Sequence, residues 1–413
     1  MRILYLNTTY RCGGAEKVTS QLFQGMKKRG HEVYEIVSYD LNRSVLPEGV
    51  HVLYSSRLLR LFNRLITGNH GNRSLHIWYS RRYIRSFIEK HRIDVVHLNN
   101  PHDNFLGIRD IEELAAMRPL IWTLHDFWAM TGHCASPHGC RSLWKEGCSS
   151  CGCLKNYPAL RRDVSGRLFR EKQKSFRKQK ILFTVPSEWM KRQFDDSHLK
   201  GLDCVRIYNS LDTARWKLLD KEEVRRKYQL APGKKIVGFI ASDPQKKLKG
   251  MEHLLEALGL LPEPENYLLL VAGNKSAALE NLDTKFEIRY LGYLQEQEKL
   301  NEFYALPDLL VNPSVYETFG LTSIEAMACG TPAAAFPVCT MPEIIPESCG
   351  YIAGAVTGKA LAETIRLALS DPETLAAKGR ESRRRVEDCF SEERMLAEFE
   401  KLYKKGIKLG LAR

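Results

Sequence analysis

Short apolar runs alternate along this chain with longer stretches whose apolar positions recur at helical spacing. Residues 2–6 (RILYL), 31–37, 93–98 (IDVVHL), 120–124 (LIWTL), 181–185 and 205–208 have the length and apolar density of buried strands. The first is followed by Gly13-Gly14 and an amphipathic segment, 15–28, that stops at Gly30, which makes a βαβ opening of the doubly wound type. A second series begins with strands at 235–240, 267–271, 288–291 and 309–311. Helical patterns at 251–258, 294–305 and 322–328 run between and after them, with two more at 371–385 and 391–408. Strands alternating with helices predict parallel sheets, so the fold class is α/β with two doubly wound domains. The chain of 413 residues is long enough to give each a full core. Residues 1–210 form the first, carrying a cysteine-rich insert at 133–153, and 211–390 form the second.

Composition changes this picture little, but charge does. With 44% hydrophobic and 27% charged residues the chain has the balance of a soluble globular protein. No apolar run approaches the ~18 residues of a membrane span, and the N-terminus has no signal-peptide pattern, so a cytoplasmic location is expected. The net charge of +13 lies wholly in the first half: residues 1–210 hold 34 Lys and Arg against 19 Asp and Glu, the rest 28 against 30. The surplus gathers at 57–92 and 161–180. Such a half favours an anionic partner, and a membrane surface fits better than nucleic acid, because the basic stretches lack the interleaved aromatics of single-strand binders. Residues 57–66 (RLLRLFNRLI) suit either an interfacial helix or one packed on the domain.

The candidate chemistry centres on 312–332, NPSVYETFGLTSIEAMACGTP. Glu317 lies in a loop after an apolar run. Glu325 falls in a helical segment opening just after Gly320. A helix start offers unpaired N–H groups and partial positive charge, so the backbone of Phe319, Gly320, Leu321 and Thr322 suits a phosphate. Ionised carboxylates only accept hydrogen bonds and so suit hydroxyls. A ligand with phosphates and many hydroxyls, such as a sugar nucleotide, satisfies both. The loop 242–250 adds Lys246, Lys247 and Lys249, compact cations before another helix. Gly13 and Gly14 either let backbone approach a ligand or make a tight turn. Strand ends deliver His97 and His125; a histidine there is often only a satisfied structural group.

The run PSxxExFGLxxIEAMAxGTP resembles the motif of the retaining glycosyltransferases of family 4. That resemblance implies the GT-B architecture, two Rossmann-like domains facing across a cleft, with residues 391–413 a last helix crossing back to the first domain. It implies a cytoplasmic enzyme, peripheral on the inner membrane face, moving a hexose from a UDP- or GDP-linked sugar to a lipid-linked saccharide acceptor in cell-surface polysaccharide biosynthesis. Glu317 would then contact the sugar, Glu325 the ribose and Lys249 the diphosphate. His125, in TLHD, resembles the family's cleft histidine, and Gly13-Gly14 its glycine-rich first loop. The arginine expected ahead of Lys249 is missing, and Lys246 or Lys247 replaces it. At 209–212 serine stands at 210 where the family has glycine. A 2-epimerase on the same fold, or a non-catalytic zinc-containing binding module, are the alternatives.

Eleven cysteines in a cytosolic-looking chain argue against a disulfide scaffold. Cys134, Cys140, Cys148 and Cys151 have spacing compatible with structural Zn²⁺, against which stands a set of free thiols. Four thiolates close the shell, so such a metal would be structural and not catalytic; no cofactor is expected for catalysis. A similar insert occurs in the bacterial exopolysaccharide branch of the family that includes colanic-acid-type enzymes.

Overall fold

The computed structural model describes residues 1–10, 13–40, 45–61, 78–140, 144–274 and 284–411. Two compact units divide the chain: Met1–Tyr208 with Met395–Arg413, and Asn209–Arg394.

The first unit is built on seven parallel strands: β1 (Arg2–Thr9), β2 (Glu32–Tyr39), β3 (Val50–Val52), β4 (Val95–Leu98), β5 (Leu120–Thr123), β6 (Ile181–Val185) and β7 (Cys204–Arg206). Their order is β3-β2-β1-β4-β5-β6-β7. The chain therefore winds outward from β1 in one direction and resumes at β4 in the other. Loops diverge at such a switch, leaving a crevice beyond the carboxyl ends of β1 and β4. The register there runs from Ile3↔Val95 to Leu6↔Leu98.

One face of this sheet is covered by the helix Gly14–Lys28 and by the C-terminal helix Glu392–Leu411. Leu22, Phe23 and Met26 share a core with Met395, Leu396, Phe399, Leu402 and Tyr403. Each large side chain buried in that way contributes ~1.5–3 kcal/mol, so the helix is tied down along most of its length. The contact at Gly25 is close enough that an added Cβ would meet Leu396 Cδ1 at 2.4 Å. His97, on β4, is a structural group here. Its Nδ1 pairs with the Tyr403 hydroxyl and its Nε2 with Thr123, both at 2.7 Å, and burial lowers its pKa to about 3.

The second unit has six parallel strands: β8 (Lys235–Ile240), β9 (Tyr267–Ala272), β10 (Glu287–Tyr290), β11 (Leu309–Asn312), β12 (Ala333–Ala335) and β13 (Gly350–Ile352). Their order is β10-β9-β8-β11-β12-β13, so the switch falls between β8 and β11. The lysine loop follows β8 and the glutamate motif follows β11, which places both at one switch point. Sequence periodicity finds β8 to β11 within about two residues but not β12 or β13.

Of the basic stretch 57–66, residues 57–61 are helical with Leu58 and Leu61 exposed; the remainder lies outside the described residues. Among the described residues no helix is long and apolar enough to cross a membrane.

Candidate functional site

In the second unit a single 3₁₀ turn, Lys247–Lys249, ends at Gly250 in the left-handed conformation (φ +67°). The turn lies against the strand leaving β11: the Val315 N–H donates to Leu248 O at 3.0 Å. Lys246 and Lys247 stand exposed. Lys249 instead turns inward and donates to Glu317 Oε2 at 2.9 Å. The Glu317 carboxylate raises the Lys249 pKa, against a smaller opposing effect of burial. Sequence analysis assigned Lys249 to the diphosphate and left open which of Lys246 and Lys247 replaces the missing arginine; Lys249 is joined to Glu317, while both of the others stand exposed.

The helix Leu321–Ala328 starts immediately after, with Gly320 at φ +94° as its N-cap. At its start the N–H groups of Leu321 and Thr322 have no intrahelical acceptor, while those of Ser323 and Ile324 donate to Gly320 O at 3.0 and 3.3 Å. The loop before it is held by side chains. Thr340 Oγ1 donates to Thr318 O at 2.9 Å, and Asn312 Nδ2 donates to Ser323 Oγ at 3.0 Å. Phe319 is buried edge-to-face on Phe390, ring centroids 5.8 Å apart, so its ring anchors the loop and only its backbone is left to face a ligand. Glu325 is 3% exposed and accepts from the Tyr304 hydroxyl at 2.6 Å. Sequence reasoning missed Tyr304. The signal was its place in the helix Gln297–Ala305, just ahead of β11, but a tyrosine there is indistinguishable from core.

In the first unit Gly13 has extended backbone (φ −166°) and precedes the helix that Gly14 begins. An added Cβ at Gly13 would meet Glu16 Oε2 at 2.7 Å, so this glycine makes room for a carboxylate that sequence analysis overlooked. Glu16 accepts from Thr9 Oγ1 at 2.9 Å, and burial raises its pKa. His125 is 9% exposed, pairs through Nε2 with Asn99 Oδ1 at 2.9 Å, and is lowered by burial to about 4. It is therefore a neutral hydrogen-bonding group at physiological pH. The neighbouring Asp126 pairs with His102 Nε2 at 2.7 Å. Burial works to raise the Asp126 carboxyl, but His102 and the Trp128 N–H together hold it below the usual range.

The cysteine-rich insert corrects one expectation. Cys134, Cys140 and Cys148 are buried and Cys151 is half-buried, yet among the described residues no group of three or more His, Cys, Asp or Glu side chains is placed to hold a metal ion. Structural zinc on these four is not supported. Burial pushes the Cys134 thiol up to about 12 and Cys148 to about 11. Lys172, fully buried, holds the segment that leads into the insert, donating to Trp128 O at 2.5 Å and Thr131 O at 3.1 Å.

Comparison with known proteins bears on all of this. The model for Glycosyltransferase Family 4 matches residues 12–215, and that for glycosyl transferases group 1 matches 220–385. The chain belongs to the family 4 glycosyltransferases. It is 27% identical over 434 residues to the Escherichia coli (strain K12) protein named for the colanic acid biosynthesis glycosyl transferase WcaC, covering 98% of this chain and 99% of that one. Sucrose-phosphate synthase from Thermosynechococcus elongatus superposes with a TM-score of 0.74 at 18% identity, covering 98% of both chains. Alr3699/HepE from Anabaena, solved with UDP and glucose, superposes at 0.68 with 17% identity, covering 98% of this chain and all of the other. The fold is GT-B.

In this glycosyltransferase the Tyr304–Glu325 pair is buried, so deleting the hydroxyl carries a cost of about 1–3 kcal/mol through the carboxylate it serves. Tyr304→Phe is expected to weaken nucleotide binding several-fold at unchanged binding stoichiometry, measured by titration calorimetry. Equal affinities for the variant and the parent would mean that Tyr304 does not set the Glu325 carboxylate for a ligand.

Proposed function

We propose that this glycosyltransferase is a retaining enzyme that moves a hexose from a UDP- or GDP-linked sugar to a lipid-linked saccharide acceptor in cell-surface polysaccharide biosynthesis. The observation that carries the reading is the Lys249–Glu317 pair at the switch point between β8 and β11, in the loops that lead to the start of the helix Leu321–Ala328. A departing diphosphate needs positive charge fixed where negative charge builds up. The Lys249 ammonium and the first-turn N–H groups supply it. Glu317 holds Lys249 and takes hydroxyls of the sugar; Glu325, steadied by Tyr304, takes those of the ribose. His125, neutral and with its Nε2–H donated to Asn99 Oδ1, keeps Nδ1 as an acceptor for a sugar hydroxyl. Gly13 and Gly14 let backbone in the first unit come close to a ligand.

In the step itself, the bond from the anomeric carbon to the phosphate oxygen breaks. The acceptor oxygen bonds to the same face of that carbon, and the hydroxyl proton passes to the leaving phosphate. No covalent enzyme intermediate and no cofactor are needed. The UDP and glucose found in HepE, and the colanic acid name of the Escherichia coli relative, support the donor class and the pathway. Exposed Arg170, Lys174 and Lys178 along the helix Ser165–Lys178 support a peripheral site on an anionic membrane.

Thermal melting with UDP, GDP and ADP tests the donor. A ligand at a hundred times its Kd stabilises the native state by about 2.7 kcal/mol, so one of the three is expected to raise Tm clearly. The proposal fails if none does, or if the product from an α-linked donor is the β-anomer by NMR.

A further inference from the structure

A cavity of about 380 Å³ opens in the first unit at the amino ends of β1, β4 and β5, between Arg2, Arg92, Asp94 and Arg118. Parallel strands bring all their amino ends to one edge of the sheet. The eight residues of β1 span about 25 Å, so this edge lies far from the crevice at the carboxyl ends. Met117 and Ile407 give the cavity an apolar side. Its volume is that of a small-molecule site, for which about 300–1,000 Å³ is usual.

Two of its three arginines hold the fold. Arg2 donates its backbone N–H to Asp94 Oδ2 at 2.7 Å and its Nη2 to Asp94 Oδ1 at 3.4 Å. Arg118 donates through Nε to Ile93 O and through Nη1 to Met117 O, both at 2.7 Å. The second of these bonds closes the C-terminal end of the helix Ile108–Met117. Arg92 has no such duty. It is exposed, and among the described residues its guanidinium has neither a hydrogen-bond nor an ion-pair partner.

Its backbone position is a costly one for arginine. The Arg92 N–H donates to Glu89 O at 3.2 Å and the Ile93 N–H to Ile88 O at 3.1 Å, the paired bonds that end the helix Trp78–Lys90. Arg92 is left-handed there, φ +48°, where a side chain is strained and glycine is usual. The same pair of bonds ends two other helices at Gly30 and Gly330, and a third at Gln229. Glycine at 92 would fold more readily, and what arginine adds is a guanidinium on the cavity. Three such groups against one carboxylate leave two positive charges in excess, which repel one another until an anion enters. The guanidinium fork matches phosphate oxygens two at a time, and the apolar side suits the organic group that carries them.

We propose that Arg92, helped by Arg2 and Arg118, binds a small organic phosphate in this cavity. The site belongs wholly to the first unit, whereas Lys249 and Glu317 belong to the second, and it stands whether or not the donor reading does. Ile407 lies in the helix Glu392–Leu411, so an occupant would tie the end of that helix to the edge of the sheet. A soluble metabolite and a lipid headgroup share this chemistry.

Phenylglyoxal labelling of arginines, read peptide by peptide by mass spectrometry, tests the site and separates the two sources. The first probe is hexyl phosphate, a phosphate on an apolar chain. At ten times its Kd a probe fills about nine-tenths of its sites, so labelling of Arg92 and Arg118 should slow about tenfold, while exposed Arg226 in the second unit keeps its rate. Arg92→Gly should melt at the parental Tm or above it, because the strain is relieved. In that variant hexyl phosphate should protect Arg118 at least about fivefold less well. Vesicles of phosphatidylcholine and phosphatidic acid are the second probe. If they too protect Arg118 in a way that depends on Arg92, the occupant is a headgroup; if only hexyl phosphate does, it is a diffusing ligand. The proposal is overturned if neither probe slows labelling of Arg92, or if Arg118 is protected equally in Arg92→Gly and in the parent.

Discussion

Changing Glu317 to Gln is expected to cut sugar transfer by about 10²–10³-fold, a loss of roughly 3–4 kcal/mol of transition-state stabilisation. Gln has the shape of Glu but not its charge. It removes the group that raises the Lys249 pKa and holds its ammonium at 2.9 Å. It also replaces an acceptor of sugar hydroxyls with one that is half donor. Stability should hardly change. The Lys249 side chain is 37% exposed and that of Glu317 18%, and ion pairs open to solvent contribute about 0–1 kcal/mol. The two magnitudes separate the roles: initial rates with labelled donor should collapse while the melting curve by circular dichroism stays close to that of the parent. A variant that melts much earlier, or transfers sugar at the parental rate, would remove Glu317 from the chemistry.

Much of this site was legible because its residues are close in sequence. Gly320 and Glu325 lie in one loop and helix, and the left-handed N-cap that only glycine adopts readily shows as glycine before an apolar helical pattern. The pairing of Lys249 with Glu317 spans 68 positions and no periodicity encodes it. It follows from strand order, since β8 and β11 become neighbours only when the sheet reverses direction between them. The strand Ala333–Ala335 escaped for a related reason. Three alanines have no preference for extended structure, and they form a strand because β11 and β13 pair with them on either side. Small side chains are needed there, as all three are fully buried. In the first unit, Glu16 was invisible as a functional candidate because a carboxylate in the first turn of a helix is common. Only its bond from Thr9 Oγ1 and the room that Gly13 leaves for it set it apart. Cysteine spacing pointed the other way: it suggested a metal shell where the fold holds buried thiols and a lysine.

Gly250→Ala is expected to produce the second large effect, by moving Lys249 without touching it. The residue is left-handed at φ +67°, which costs an L-residue ~1–2 kcal/mol. Far more severe, its Cβ would lie 1.9 Å from Pro313 O, a backbone atom that no rotamer change can clear. The turn and the strand exit must separate, and the bond from Val315 N–H to Leu248 O is the first to give way. A displacement of about 1 Å in a positioning group costs ~10²-fold in rate, so activity should fall at least that far along with Tm. Gly292→Ala isolates the backbone contribution. That glycine is also left-handed, at φ +74°, but an added Cβ there meets nothing within 4 Å. It should lower Tm slightly and leave the rate near that of the parent. Rates and melting curves measured side by side decide the matter: if the two variants lose activity equally, strain alone explains the loss, and the packing of this turn against Pro313 is not what brings Lys249 to Glu317.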